Sequence, residues 1–216
     1  MKNAIRVLVA DDHVLVREAL AALLDAQDNL RVVAAVDNGV DAVAQCRDTL
    51  PDVALIDLVM PQLNGIDAAA QISEQCPSVR VVVVSMYSDI DYVFRAVRAG
   101  ARGFVAKTAA AAELVKAIGA VCAGRRYFSG PIAESVVEDY IRLRSDRTPL
   151  ERLSARERQI LQLISEGRSS TAIAQCLSLS PKTVDTYRSR MMGKLHITEL
   201  PALIKFAIVH GITPPQ

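Results

Sequence analysis

The sequence predicts an α/β domain built on a doubly wound, five-stranded parallel sheet, followed by a small all-α domain of four helices. Three observations carry that expectation. Short β-branched runs alternate with helical stretches through the first half; strand-like runs then cease; and the charge changes sign along the chain. Residues 1 to 124 hold 11 Lys and Arg against 15 Asp and Glu, a net of −4, whereas residues 149 to 216 hold 9 against 5, a net of +4. An acidic front and a basic back point to two domains with different partners.

In chain order, the strands are expected at Ile5–Ala10, Leu30–Ala35, Val53–Asp57, Arg80–Ser85 and Gly103–Ala106. Each is a mainly apolar run, as a parallel strand covered on both faces requires. Helical spacing covers His13–Asp25, Gly39–Thr49, Gly65–Gln75, Asp89–Ala99 and Ala110–Ala123, with Asn64 and Ser88 placed to cap two of these helices. The first domain ends near Gly124. Residues 125–148 read as a linker with a short helix, Ile132–Leu143, between Ser129-Gly130-Pro131 and a polar stretch that ends at Pro149. Residues 149–216 are helical in character, with helices over Ala155–Glu166, Ser170–Leu177, Pro181–Leu195 and Thr198–His210.

Composition narrows the class. The chain of 216 residues is 51% apolar and 23% charged, a folded rather than a disordered balance. Its longest apolar runs, such as Val81 to Val84, fall far short of the roughly 20 residues that span a bilayer. Met1 to Arg6 pass directly into a strand without an apolar leader, so a cytoplasmic protein with no membrane partner is expected. Cys46, Cys76, Cys122 and Cys176 lie far apart in apolar helical contexts, without zinc-site or redox spacing, and read as reduced structural thiols.

Ligands of an open parallel sheet bind at the carboxyl ends of its strands. The first strand ends in Asp11-Asp12, the third in Asp57, the fourth in Ser85, and the fifth runs into Lys107. A lone aspartate at a strand end usually caps a helix or closes a turn. Five such residues converging on one crevice call for another reason. Grouped carboxylates repel unless a cation neutralises them, and an all-oxygen site suits Mg²⁺, held by Asp11, Asp12, Asp57 and the Val59 carbonyl, with Asp11 acting through water. Asp57 is placed to attack a phosphoryl donor, with Lys107 and the metal taking the oxygen charge and Ser85 hydrogen-bonding the product. His13 and Arg17 read as rim positions.

These residues stand in stretches that resemble the receiver domains of two-component response regulators, of the NarL/FixJ class: Asp11-Asp12-His13-Val14-Leu15-Val16-Arg17-Glu18, Asp57-Leu58-Val59-Met60-Pro61, Val83-Val84-Ser85-Met86-Tyr87, and Gly100 to Lys107. The resemblance implies a flavodoxin-like fold, phosphotransfer from a sensor histidine kinase, and Phe104 turning inward as the switch. Phe104 lacks the hydroxyl of the commoner Tyr, and Thr108 replaces a frequent Pro.

In the back half, Ser170–Leu177, a short turn and Pro181–Leu195 have helix-turn-helix spacing. Ser180 is a natural N-cap, and Pro181 fits the first helical position. On the second helix Val184, Met191 and Leu195 form a buried stripe, opposite Lys182, Asp185, Thr186, Ser189 and Arg190, a face suited to the major groove. Thr183 joins that face at the helix start, and Arg188 and Lys194 at its edges are placed for phosphates. Motifs from Leu153-Ser154-Ala155-Arg156-Glu157-Arg158 through Leu179-Ser180-Pro181-Lys182-Thr183-Val184 to Met192-Gly193-Lys194-Leu195 resemble the LuxR-type DNA-binding domain, although Tyr187 stands where His is common. The resemblance implies double-stranded DNA as partner and a homodimer contact through the last helix, where Thr198, Leu200, Leu203, Ile204 and Ala207 form an apolar stripe that also suits packing within the domain.

Two other readings remain open at this level. Similar α/β folds include hydrolases with an Asp nucleophile, but Val59 occupies the position of their second acid/base Asp, so no enzyme is expected. A DNA-binding protein with a vestigial receiver conflicts with the complete acidic set. Val59 and Tyr87, two residues beyond Asp57 and Ser85, are poor at orienting water, and slow loss of the phosphoryl group is expected.

Overall fold

A computed structural model describes residues 4–86, 90–109, 111–129 and 149–213. The chain divides into two compact units, residues 1–144 and 145–216. In the first, β1 (Ile5–Ala10), α1 (Val14–Asp25), β2 (Leu30–Val36), α2 (Gly39–Thr49), β3 (Val53–Asp57), α3 (Gly65–Gln75), β4 (Arg80–Ser85), α4 (Ile90–Arg98), β5 (Gly103–Ala106) and α5 (Ala111–Cys122) alternate strictly. A sixth strand, β6 (Tyr127–Phe128), follows.

All six strands are parallel, in the order β2-β1-β3-β4-β5-β6. The five-stranded expectation is therefore corrected. Residues expected in the linker return to the sheet, where Tyr127 N–H donates to the Arg102 carbonyl and Gly103 and Phe104 register with Tyr127 and Phe128. Two residues are too few to show a period in sequence.

Alternate strand residues serve opposite faces. Leu8, Ala54, Ile56, Val81, Val83 and Phe104 pack with α2, α3 and α4, whereas Val7, Val9, Leu55, Val82, Val84 and Val105 pack with α1 and α5. Both faces are covered, which accounts for the nearly continuous apolar runs. Asn38 and Asn64 cap α2 and α3 by accepting from Asp41 and Asp67 N–H. The expected Ser88 cap and the Ile132–Leu143 helix lie outside the described residues.

The second unit opens with a 3-10 turn at Pro149–Arg152 and continues as α6 (Ala155–Ser165), α7 (Ser170–Cys176), α8 (Pro181–Leu195) and α9 (Leu200–Val209). Its core gathers Leu150, Leu153, Ile160, Leu161, Ile173, Val184, Met191, Leu203 and Ala207. Ser154 begins α6 with a full capping box, its side chain accepting from Glu157 N–H while Glu157 reaches back to Ser154 N–H. The last helix starts at Leu200, later than Thr198, because Glu199 takes the extended N-cap conformation and Pro201 falls in the first turn.

None of the four cysteines is in a disulfide. Burial, with Cys76 nearby, pushes the Cys46 thiol up to about 12, consistent with an inert core thiol. Cys176 departs from the structural reading: it is exposed at the end of α7, where Ile173 and Ala174 take the core face. Among the described residues no helix is long and apolar enough to cross a membrane.

Candidate phosphoryl site and nucleic-acid interface

β1 pairs with β2 on one side and β3 on the other, so the winding direction reverses between β1 and β3. A crevice opens above their carboxyl ends at such a point. Asp11 and Asp12 follow β1, Asp57 closes β3, Ser85 closes β4 and Lys107 follows β5. The structure thus groups the side chains of Asp11, Asp12, Asp57 and Lys107, with Ser85 at the neighbouring strand end. Asp11 and Ser85 are each 1% exposed and Asp57 is 4% exposed, while Lys107 Nζ lies 2.7 Å from Asp11 Oδ2 and 2.9 Å from Asp57 Oδ2.

One ligand atom from each of Asp11, Asp12, His13 and Asp57 lies within 4.8 Å of the others. His13 does occupy the rim, with its side chain 67% exposed, but its Nδ1 stands 2.7 Å from Asp12 Oδ1. Arg17 donates to the Asp11 carbonyl at 2.6 Å and so braces the end of β1. Phe104 is buried in the core beneath β5, between Val83 and Phe128 in the sheet.

The electrostatics suit a bound cation. Burial pushes the Asp57 carboxyl up to about 6; Lys107 pulls it down, and Asp11 and Asp12 push it further up. Burial acts to lower Lys107, but contacts with Asp11 and Asp57 outweigh it and hold the ammonium above its usual range. A single ammonium does not neutralise three carboxylates. Asp11 Oδ2 and Asp12 Oδ1 are buried yet accept no hydrogen bond of proper geometry; Lys107 Nζ stands 2.7 Å from the first and His13 Nδ1 2.7 Å from the second. Three grouped carboxylates with one ammonium between them, and two buried oxygens short of well-aligned donors, fit Mg²⁺. Asp11, Asp12 and Asp57 would be the groups to hold it, and the carbonyl of Val59, expected to join them, follows two residues beyond β3.

Sequence reasoning missed Gly65. A Cβ there would stand 2.0 Å from the Asp57 carbonyl oxygen, and Gly65 N–H donates to the Leu58 carbonyl at 2.9 Å. The first turn of α3 therefore rests directly on the backbone of Asp57. Only the Asn64 N-cap beside it gave any signal in sequence.

In the second unit, α7 and α8 form the helix-turn-helix. Ser180 accepts from Thr183 N–H at 3.0 Å, Pro181 starts α8, and Val184 and Met191 are buried as predicted; Leu195 is half-buried. Lys182, Thr186, Ser189 and Arg190 lie on one open face at helical spacing, with Thr183, Asp185 and Arg188 beside it. Asp185 accepts from Ser170 Oγ at 2.9 Å and pairs with Arg188 at 3.0 Å, tying α8 to α7. Lys194 is held differently: its Nζ lies 2.7 Å from Glu157 Oε2, a buried carboxylate of α6. Burial pushes Glu157 up, but Lys194 and Ser154 together hold it below the usual range.

A doubly wound parallel domain with an aspartate-lysine crevice at its switch point, joined to a helix-turn-helix unit, has the architecture of a signalling regulator of transcription. Residues 7–119 match the response regulator receiver domain and residues 151–207 match the bacterial regulatory proteins of the luxR family; the chain belongs to the response regulators of this receiver-plus-luxR type. It is similar to response regulator UvrY of Escherichia coli K12, with 36% identity over 208 residues that cover 96% of this chain and 95% of UvrY. Among solved structures it resembles RcsB of Salmonella enterica serovar Typhimurium bound to promoter P1flhDC in the presence of the phosphomimetic BeF3⁻, at 26% identity and a TM-score of 0.58, covering 98% of this chain and 100% of that one. A structure of two RcsB dimers bound to two parallel DNAs gives 26% identity and a TM-score of 0.56, with coverage of 94% and 98%.

Proposed function

We propose that Asp57 accepts a phosphoryl group from a sensor histidine kinase, and that phosphorylation controls sequence-specific binding of double-stranded DNA by the C-terminal unit. The observation that carries this reading is the buried Asp57 carboxylate, 2.9 Å from Lys107 and grouped with Asp11 and Asp12. An Asp57 oxygen attacks phosphorus, the P–N bond of phosphohistidine breaks, and the leaving imidazole keeps the electron pair and takes up a proton. Mg²⁺, when bound, supplies neutralising charge to the phosphoryl oxygens. Lys107 neutralises another oxygen, and the Ser85 hydroxyl donates to the phosphate once it is in place. Phe104, on the strand that leads to Lys107, carries the change away from the pocket.

The receiver then occupies residues 1–124, a linker 125–148 and the DNA-binding domain 149–216. The open face of α8, with Lys182, Thr186, Ser189 and Arg190 flanked by Thr183, Asp185 and Arg188, enters the major groove, and Lys194 lies at its edge. Leu203 and Ala207 pack inside the unit, whereas Leu200 and Val209 stay exposed on α9 and supply a homodimer contact on DNA. The protein works in the cytoplasm as a regulator, not an enzyme. Incubation with radiolabelled acetyl phosphate and Mg²⁺ tests the central step: wild type takes up label and Asp57→Asn does not, whereas label retained by Asp57→Asn would refute the assignment.

A further inference from the structure

β5 carries Lys107 at its carboxyl end, and the geometry of that end is set from both sides. Toward β4, Lys107 N–H donates to the Ser85 carbonyl at 2.7 Å. Toward β6, Ser129 N–H donates to the Phe104 carbonyl at 2.9 Å, and Ala106 N–H donates to the Ser129 hydroxyl at 2.8 Å. In a regular parallel ladder the Ala106 N–H would be met by the carbonyl of residue 129. Here the side-chain hydroxyl takes that acceptor position. Ser129 is itself buried, at 9% exposure.

We infer that Ser129 is a positioning residue for Lys107: its hydroxyl fixes the N–H of Ala106, the residue before the lysine, and so helps to aim the ammonium at Asp57. The inference rests on the phosphoacceptor reading of Asp57. The edge strand that ends beside Ser129 is two residues long, so this hydrogen bond is a large part of what holds β5 on that side. Without it, Ala106 N–H loses its acceptor, and beyond the Phe104 carbonyl the end of β5 loses its tie on the β6 side, leaving the bond to Ser85 on the other. Lys107 contacts two carboxylates at 2.7 and 2.9 Å, and a shift of its backbone weakens both contacts at once. Asp11, Asp12 and Asp57 sit on other strands, so Ser129 has no direct hold on the metal ligands.

The test is a double-mutant cycle on the full-length protein, read as the rate of labelling by acetyl phosphate with saturating Mg²⁺. Ser129→Ala is expected to slow labelling roughly tenfold, as small misplacements of a charged group do. Ser129→Thr, which keeps the hydroxyl, restores the rate to within about twofold. In a Lys107→Ala background, Ser129→Ala adds no further loss of labelling and leaves Mg²⁺ affinity, measured by thermal shift, unchanged. Equal labelling of wild type and Ser129→Ala, or an equal loss in both backgrounds, would overturn the inference while leaving Asp57 as phosphoacceptor. Failure of wild type to take up label would instead defeat the underlying reading.

Discussion

Lys107 Nζ lies 2.9 Å from Asp57 Oδ2, yet the Asp57 carboxyl still stands at about 6, because burial and two neighbouring carboxylates outweigh one ammonium. In the absence of metal the pocket thus stores unfavourable charge. A carboxyl raised above its unfolded value of 3.8 contributes stability that is full below that value and is lost as pH rises through about 6. Metal-free Asp57→Asn is therefore expected to exceed wild type in stability above about pH 7, by roughly 1–3 kcal/mol, with the difference closing below about pH 4. Denaturant unfolding in EDTA across this range checks it; a variant less stable than wild type at neutral pH would contradict the reading of the pocket.

Gly65 sets the backbone of Asp57 by contact. A methyl group 2.0 Å from the Asp57 carbonyl oxygen must displace either α3 or the end of β3. Gly65→Ala is expected to cost about 1–3 kcal/mol of stability and to depress acetyl phosphate labelling well beyond what that loss explains. Labelling at the wild-type rate in folded protein would show that the contact has slack.

The basic residues of α8 divide into two roles. Lys194 pairs with buried Glu157, which also closes the capping box of α6, so Glu157→Ala and Lys194→Ala are both expected to destabilise the C-terminal unit, Glu157→Ala by about 1–2 kcal/mol from the cap alone. Because Glu157 is held below its ordinary value of 4.5, this contribution is present above that pH and is lost as pH falls through the folded value. Lys182→Ala and Arg190→Ala, at exposed positions, leave stability unchanged but weaken DNA binding and reduce the salt slope by about 1 each. Melting curves beside binding isotherms at several salt concentrations separate the two groups.

The phosphoryl group on Asp57 is expected to persist for minutes or longer in the purified protein. Val59 and Tyr87 are the residues two beyond Asp57 and Ser85, and neither side chain is suited to orienting an attacking water. Loss of label within seconds would count against this expectation.

The five strands with long apolar runs were legible at nearly their full extent, because a strand covered on both faces writes its burial directly into consecutive residues. The same logic located Asp11, Asp12, Asp57, Ser85 and Lys107, since strand ends in a parallel sheet share one edge. β6 was not legible: Tyr127 and Phe128 follow Arg125 and Arg126 and precede Gly130 and Pro131, a context that reads as linker, and they gain strand geometry only by pairing with β5. Gly65 and Ser129 escaped for a related reason. Their partners, the Asp57 carbonyl and the Ala106 N–H, are backbone groups distant in sequence or supplied by another strand, so no pattern around the residue records them. Lys194 shows the converse, a basic residue on a basic helix whose contact is with its own domain.

Phosphorylation of the first unit is expected to govern DNA binding by the second. This coupling is tested most directly by the affinity of the full-length protein for a promoter fragment at fixed salt, with and without acetyl phosphate and Mg²⁺, for wild type and Asp57→Asn. A change in wild-type affinity on phosphorylation that is absent in Asp57→Asn is the predicted result. Equal affinities with and without phosphorylation, in a wild-type sample shown to carry label on Asp57, would contradict it.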